Sequence, residues 1–429
     1  MTWKDAVAPL RERNFAWYFN SRFSNTLGSM MAGIALTFAV LDLTGSASAL
    51  GQVLAARTVP MVLFLLFGGV IADRFPRSLV LQLSNLLSAA TQGLVAYLVI
   101  SGQAELWMIV TLEVVNGTVS AMSFPAMASM VPQLVPRDQL QSANALLSLV
   151  RGGLTVIGPT LGALLVVTIG SGWALAIDAL TWLVAAVLLT PMRMPPRPAR
   201  NTQTSTVREL REGWSFFVST TWLWVVVLAF GVLNAIHSGA WFTLGPAVAK
   251  STIGEQGWGL VLSAESVGLL VMTVVLLRVN VRRPLLVGML GCSLMGIPMV
   301  VLGVEPNLAV LLVATFVAGA GIELFSIGWN VAMQENIDEA MLSRAYSYDA
   351  LGSFVAMPVG QLLYGPLGET FGYRDVLVVS GVAYVLVALV TLSSRSVRTL
   401  SRTRAEGSGP GAGEALEAVV SGPTSPPAP

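Results

Sequence analysis

The stretch LGQVLAARTVPMVLFLLFGGVIADRFPR, residues 50–77, decides the fold class. Its first part, to Ala72, exceeds the roughly 20 mostly apolar residues that a helix needs to cross hydrocarbon. A short charged turn follows, and from Ser78 to Ile100 the chain is apolar again. The same alternation of long apolar run and brief polar turn repeats from Phe15 to Leu392. With 54% hydrophobic and 11% charged residues and a mean hydropathy of +0.73, the composition excludes an ordinary water-soluble domain, in which about a quarter of the residues are charged. The bilayer is the expected solvent.

Twelve such runs are expected. The first six are Phe15–Leu43, Leu50–Ala72, Ser78–Ile100, Leu106–Val131, Gln139–Ile169 and Trp173–Pro191. The second six are Trp222–Val248, Gly257–Leu277, Pro284–Val304, Leu308–Met333, Leu342–Phe371 and Val376–Leu392. The expected organisation is an N-terminal segment 1–14, a six-helix bundle over 15–191, a linker over 192–221, a second bundle over 222–394, and a disordered tail over 395–429. The linker holds five arginines and opens on Pro195, Pro196 and Pro198. The tail's Ser, Gly, Ala and Pro content cannot bury a core. The first run is too long, and lacks the small-residue site, for a cleavable signal peptide.

Basic residues give the orientation, because Lys and Arg in short loops stay cytoplasmic. Nineteen of the 24 fall on the side of the termini and the linker, and two, Lys250 and Arg374, fall on the other. Both termini are therefore expected in the cytoplasm of a plasma-membrane protein. The last three, Arg22, Arg57 and Arg151, lie inside apolar runs. The chain has two lysines, Lys4 and Lys250, and neither ends a Gly-rich phosphate loop, so ATP hydrolysis in the same chain is not expected. One histidine and one cysteine, Cys292, offer neither a metal cluster nor an intrachain disulfide.

The turn after the second run, Gly69-Val70-Ile71-Ala72-Asp73-Arg74-Phe75-Pro76-Arg77, resembles the Gly-x-x-x-Asp-Arg-x-Gly-Arg-Lys signature of the major facilitator superfamily. Pro76 and Ser78 depart from it. Gly69 permits close helix approach, and Asp73 suits the N-terminus of the third helix and a pairing with Arg77. The resemblance implies that Gly69, Asp73, Arg74 and Arg77 form a latch that grips the other half when the cytoplasmic side is closed. Further segments resemble the drug and siderophore exporters of that superfamily, relatives of the enterobactin exporter and macrolide efflux proteins. They are Leu43-Thr44-Gly45-Ser46, Phe124-Pro125-Ala126 and Leu140-Gln141-Ser142-Ala143-Asn144-Ala145-Leu146. Gly158-Pro159 and Gly162 match the Gly-Pro-x-x-Gly core of the antiporter motif, while Leu154 and Ala163 replace its flanking glycines. Glycine thins a helix face and proline bends it.

The resemblance implies an all-α membrane protein of the major facilitator fold, with helices 1, 2, 4, 5, 7, 8, 10 and 11 lining a central cavity. Ionisable residues inside the runs mark a pathway, since each costs roughly 2.5–3.5 kcal/mol at mid-bilayer. They are Arg22, Arg57, Glu113, Arg151, Asp178, His237, Glu265, Glu323 and Asp349. Asp178, on the sixth helix, is expected to be an end-of-helix or packing residue. The others, except Arg57, are candidates for proton coupling or substrate contact, Glu113, Glu265 and Glu323 foremost. Glu113 is expected to pair with Arg151 or Arg22, and Asp349 with Arg344. Each also has a plain reading as a satisfied interior polar group. The aromatics of helices 1, 7 and 10 suit either a substrate wall or helix packing.

The implied activity is secondary export of a small amphipathic molecule by proton antiport. The energy source is a proton gradient, with no cofactor and no metal. The expected partners are that small molecule and the bilayer, with no nucleic acid, and the chain is expected to act as a monomer. A nutrient-uptake permease, or a non-transporting membrane receptor or scaffold, are the alternatives.

Overall fold

A computed structural model describes residues 7–74, 76–128, 130–136, 139–192, 214–276, 278–279 and 281–401. The side chains of 65–74, 124–126, 128, 141, 339–340 and 343–344 lie outside the description. Among the described residues, twelve helices are long and apolar enough to cross a membrane. They are α1 (Arg13–Thr44), α2 (Ala47–Arg74), α3 (Arg77–Ile100), α4 (Leu106–Ala128), α5 (Leu140–Ile169) and α6 (Ser171–Leu189), then α7 (Thr221–Ser251), α8 (Gly254–Leu276), α9 (Pro284–Val304), α10 (Leu308–Asn336), α11 (Glu339–Phe371, in two pieces) and α12 (Tyr373–Thr391). Large apolar side chains such as Leu83, Leu94, Leu180, Val313, Val379 and Leu386 stand exposed on their outer faces. An apolar exterior of this extent requires lipid around it.

The expected runs and the observed helices differ at their ends for local reasons. α1 ends at Gly45, whose φ of 64° and amide hydrogen bond, donated to the Leu41 carbonyl, make the left-handed cap that glycine adopts freely. The fourth run was expected to reach Val131, but the helix closes at Ala128 and a separate 3-10 turn spans Val131–Gln133, with Pro132 inside it. The segment 395–429, expected to be disordered throughout, begins with a short helix, Arg395–Thr399, whose Val397 is fully buried. An apolar contact pays for ordering there despite the polar composition. Most of the expected linker lies outside the described residues.

Three helices of the second six are interrupted, each just before a proline. α7 passes through a π-helical stretch, His237–Leu244, ahead of Pro246. α9 breaks at Leu294 and Met295, between Pro284–Ser293 and Gly296–Val304, ahead of Pro298. α11 breaks between Glu339–Phe354 and Met357–Phe371, ahead of Pro358. Proline has no amide hydrogen for the carbonyl four residues earlier and its ring crowds that carbonyl. In the first six, α2 and α5 run unbroken past Pro60 and Pro159.

Packing joins α1, α5 and α6, α3 with α4 and α6, and α2 with α4 as one group. The other joins α8 with α10, α9 with α10 and α12, and α7 with α11. The groups meet where α5 lies on α8 and where α2 lies on the second piece of α11. Backbones touch there: a Cβ on Gly51 would sit 2.0 Å from the Gln361 carbonyl oxygen, and one on Gly365 2.4 Å from Ser48 Cα. Ser46 Oγ donates to Glu369 Oε1 (2.6 Å), Asp42 pairs with Lys250, and a hydroxyl pair, Thr160 with Ser263 (2.7 Å), joins α5 to α8. Ser46, Asp42, Lys250 and Glu369 all lie at the end that carries the α1–α2 and α7–α8 turns, opposite the chain termini.

Candidate functional site

The most enclosed charge in the first group is Glu113. Gly117, one turn further along α4, has no side chain, and a Cβ there would lie 2.1 Å from the Arg57 carbonyl oxygen. α2 and α4 therefore touch backbone to backbone, and Arg57 of α2 reaches its neighbour's carboxylate. Arg57 Nη1 stands 3.9 Å from Glu113 Oε2, and Gln92 of α3 donates from Nε2 to Oε1 at 3.0 Å. The Glu113 side chain is fully buried while that of Arg57 is 35% exposed. Oε2 accepts no hydrogen bond among the described residues. The carboxylate is thus held by one strong neutral bond and one longer charge contact, in a setting where desolvation is expensive unless a partner compensates it.

This corrects the expected pairing of Glu113 with Arg151 or Arg22. Glu113 turns into its own group of helices, toward α2 and α3, and its cation is Arg57. Asp178, expected to be an end-of-helix or packing residue, proves to be the second of these. It is the eighth residue of a 19-residue helix, 1% exposed, and lies within electrostatic reach of both Arg57 and Glu113, with Oδ1 free of hydrogen bonds among the described residues. It belongs to the same buried cluster and is no helix end. Gly28 makes room for it: a Cβ there would fall 2.5 Å from Asp178 Oδ1. The signal for this cluster was in α3, where Asn85, Ser88 and Gln92 recur at helical spacing and are all buried.

Arg22 and Arg151 meet elsewhere. They line a cleft of about 250 Å³ with Tyr18, Thr26, Asn144 and Ser148, walled on its apolar side by Leu147 and Val150. Arg22 Nη1 contacts Asn25 Oδ1 at 3.3 Å and Met127 Sδ at 2.8 Å, and Arg151 is exposed.

In the second group the carboxylates meet neutral donors. Glu265 of α8 accepts from Trp241 Nε1 at 3.3 Å, and its backbone lies against Gly319 of α10. Glu323 of α10 accepts from Thr273 Oγ1 of α8 at 2.8 Å. Asp349 of α11 accepts from Trp329 Nε1 (3.0 Å) and Ser353 Oγ (3.2 Å), which ties α11 to α10. The Arg344 side chain expected beside Asp349 lies outside the described residues. His237 opens the π stretch of α7, stacked edge-on against Phe242 at 5.0 Å, and its Nε2 is buried without a hydrogen bond among the described residues. Trp222, Phe230, Phe325 and Trp329 pack on one another, with ring centroids 4.1–6.0 Å apart. Cys292 is buried beside the Tyr384 hydroxyl at 3.3 Å.

The glycine motif of α5 faces two ways. A Cβ on Gly158 would stand 2.4 Å from Met30 Cβ, and one on Gly162 2.7 Å from the Met31 carbonyl oxygen, so these glycines seat α5 on α1. The Pro159 carbonyl and Ala163 instead face Gly259 of α8, at 2.8 Å and 2.5 Å from a Cβ placed there. Ala163, which replaces a motif glycine, is small enough for this crossing only because Gly259 opposes it. Of the expected latch, Gly69, Asp73 and Arg74 fall among the undescribed side chains, and Arg77 opens α3 half-buried. The two basic residues on the sparsely charged side each have a partner: Lys250 pairs with Asp42, and Arg374 donates from Nε to the Gly303 carbonyl (2.8 Å) and from Nη2 to that of Val304 (2.5 Å), closing the end of α9.

The sequence profile described as Major Facilitator Superfamily matches residues 18–360. The chain is 22% identical over 386 residues to macrolide efflux protein A of Streptococcus pyogenes, covering 87% of this chain and 93% of that protein. It is 28% identical over 397 residues to the enterobactin exporter EntS of Salmonella typhimurium, covering 88% and 91%. Among solved structures it is similar to a mutant form of the nucleoside transporter NupG, with a TM-score of 0.71 at 14% identity over 88% of this chain and 99% of that one.

Proposed function

The chain belongs to the Major Facilitator Superfamily, a family of membrane transporters, and from that premise we propose that it exports a small amphipathic molecule across the plasma membrane in exchange for protons. Efflux proteins among its relatives support the direction. The nineteen-to-two division of basic residues supports cytoplasmic termini. With that orientation, the contacts at Ser46, Lys250 and Glu369 join the two groups at the outer end.

One observation carries the coupling: Glu113 is fully buried while its cation, Arg57, is partly exposed on the helix that forms the seam with α11. A buried carboxylate tolerates two neutralising partners, an arginine or a proton. When α2 moves against α11 during rocking, the surroundings of the partly exposed Arg57 side chain change, it swings from Glu113 and a proton takes its place; the reverse motion returns the arginine and releases the proton. Gln92 keeps the carboxylate oriented through both states. Glu265 and Glu323, held by Trp241 and Thr273 across the α7–α8 and α8–α10 contacts, are the second and third places where a proton could be carried.

The test is proton flux in inside-out vesicles containing the whole chain, with Glu113→Gln, Glu265→Gln and Glu323→Gln measured one at a time. Glu113→Gln is expected to abolish substrate-driven proton release while substrate binding survives. Wild-type flux in all three variants overturns the coupling assignment. Movement of labelled substrate into such vesicles tests the direction.

A further inference from the structure

We propose that the Arg22–Arg151 cleft binds an anionic group, so that the transported molecule is an amphipathic anion: a carboxylate, phosphate or sulfonate on an apolar body. The anion site stands on the geometry alone, while its role as the cargo site rests on the export reading.

Arg22 is nine residues into α1 and Arg151 eleven into α5, about 14 and 17 Å along their helices at 1.5 Å per residue. The two guanidiniums thus lie at similar depth, past the first quarter of spans 32 and 30 residues long, and share one cleft. Arg22 feels the positive charge of Arg151. Among the described residues neither forms an ion pair; the acid expected to serve them, Glu113, is committed to Arg57.

A guanidinium offers five N–H donors in a planar fork. Among the described residues only Nη1 of Arg22 is engaged, by an amide oxygen and by a thioether sulfur, a weak acceptor. The contacts to Asn25 and Met127 hold one corner of the fork in place and leave Nε and Nη2 to an incoming group. Asn25 lies one turn further along the same helix and is itself 5% exposed, so the fork is positioned from below. Two like charges at this depth, one positioned and unmatched, describe a site whose missing member is negative: carboxylate, phosphate and sulfonate oxygens meet such forks with paired, charge-assisted bonds.

The surroundings set the rest of the ligand. Tyr18, Asn144 and Ser148 add neutral hydrogen-bonding groups, and Leu147 and Val150 give the apolar wall. Gly152, next to Arg151, packs on Leu270 of α8, a Cβ there standing 3.2 Å from Leu270 Cδ2. The cleft therefore borders the seam between the two groups of helices, where a bound body gains contact with both. In the second group the carboxylates of the spans, Glu265, Glu323 and Asp349, face neutral donors. The two cations of the cleft both belong to the first group, so an anion is held on that side of the seam.

The experiment is calorimetric titration of the purified full chain in detergent with 2-naphthalenecarboxylate, 2-naphthyl phosphate and 2-naphthalenesulfonate, against neutral 2-naphthalenesulfonamide. Dioctanoyl phosphatidylglycerol and dioctanoyl phosphatidylcholine form a second arm, to distinguish a free anion from a lipid headgroup. At least one ring anion is expected to bind ten-fold or more tightly than the sulfonamide. Arg22→Gln and Arg151→Gln are expected each to remove that difference, Arg22→Lys to keep part of it, and the exposed Arg278→Gln to leave it intact. Size-exclusion profiles matching the parent show which variants fold, and Arg22→Lys with Arg151→Gln keep the test alive if Arg22→Gln does not. No ring anion binding above the sulfonamide, or binding indifferent to both arginines, overturns the site. Arginine-dependent binding of phosphatidylglycerol alone overturns the cargo assignment and makes the cleft a lipid site. The proton-flux result for Glu113→Gln is independent of all these readings, so the two proposals fail separately.

Discussion

The two groups of six helices handle buried charge and helix continuity in opposite ways. The first carries Arg22, Arg57 and Arg151 well inside its spans, with the carboxylates Glu113 and Asp178, and it neutralises Glu113 with Arg57. Its helices α2 and α5 run unbroken through their internal prolines. The second contains three span carboxylates held by indole and hydroxyl donors, and three of its helices break or change pitch before a proline. A charge contact weakens only as the inverse of distance, so Arg57 stays coupled to Glu113 across small movements. A hydrogen bond from a neutral donor is short-range and directional, and fixes its two groups more narrowly. The first group thus reads as a charge switch in a frame of continuous helices, the second as carboxylates pinned by neutral donors in a frame of interrupted ones.

The largest effect expected from that contrast is at the seam both groups share. Gly51→Val drives a side chain into the Gln361 carbonyl, and transport is expected to fall more than ten-fold while each group still folds; vesicle transport and size-exclusion behaviour report it. Next is Arg57→Gln, which leaves Glu113 to take up a proton and should destabilise the protein by about 1–2 kcal/mol, less than for a fully buried pair because Arg57 is a third exposed and screened by solvent. Adding Glu113→Gln should recover a good part of that loss in detergent unfolding. If the double variant is as unstable as the sum of the single ones, the two residues are not coupled. Glu265→Gln keeps the Trp241 bond and should cost under about 1 kcal/mol; a loss as large as that of Arg57→Gln would erase the contrast between the groups. Pro358→Ala gives back an amide hydrogen for the Phe354 carbonyl. Amide exchange at Val355 and Ala356 should slow and transport should drop a few-fold, unless the break owes nothing to the proline. Smallest is Lys250→Ala: an exposed pair is worth roughly 0.2–1 kcal/mol, so the unfolding temperature should scarcely move.

Much of the architecture could be read directly. Runs of apolar residues longer than a bilayer requires have no alternative in water, so twelve helices follow from length and composition, and their ends follow from caps such as Gly45 and breakers such as Pro132. The charge contrast was also written in the chain, since Arg22, Arg57 and Arg151 all precede the linker while Glu265, Glu323 and Asp349 follow it. The pairings were not. Glu113 was matched to Arg151 or Arg22 from the sequence, and the structure gives Arg57 because Gly117 lets α4 touch the backbone of α2. Asp178 looked peripheral because its helix was expected to face lipid; a bare Gly28 on α1 lets it turn inward.

The sequence by itself determined that this protein lives in a membrane, how many times it crosses, where charge is concentrated, and which residues are too costly in hydrocarbon to be idle. Solvation and local backbone preferences decide those matters, and both act on residues close together in the chain. Only the tertiary structure decided which charge answers which: Glu113 with Arg57, Arg22 and Arg151 with no acid among the described residues, Asp42 with Lys250 across 208 positions. Those choices depend on the rotation of each helix about its axis, which is fixed by where a missing side chain lets two helices close in.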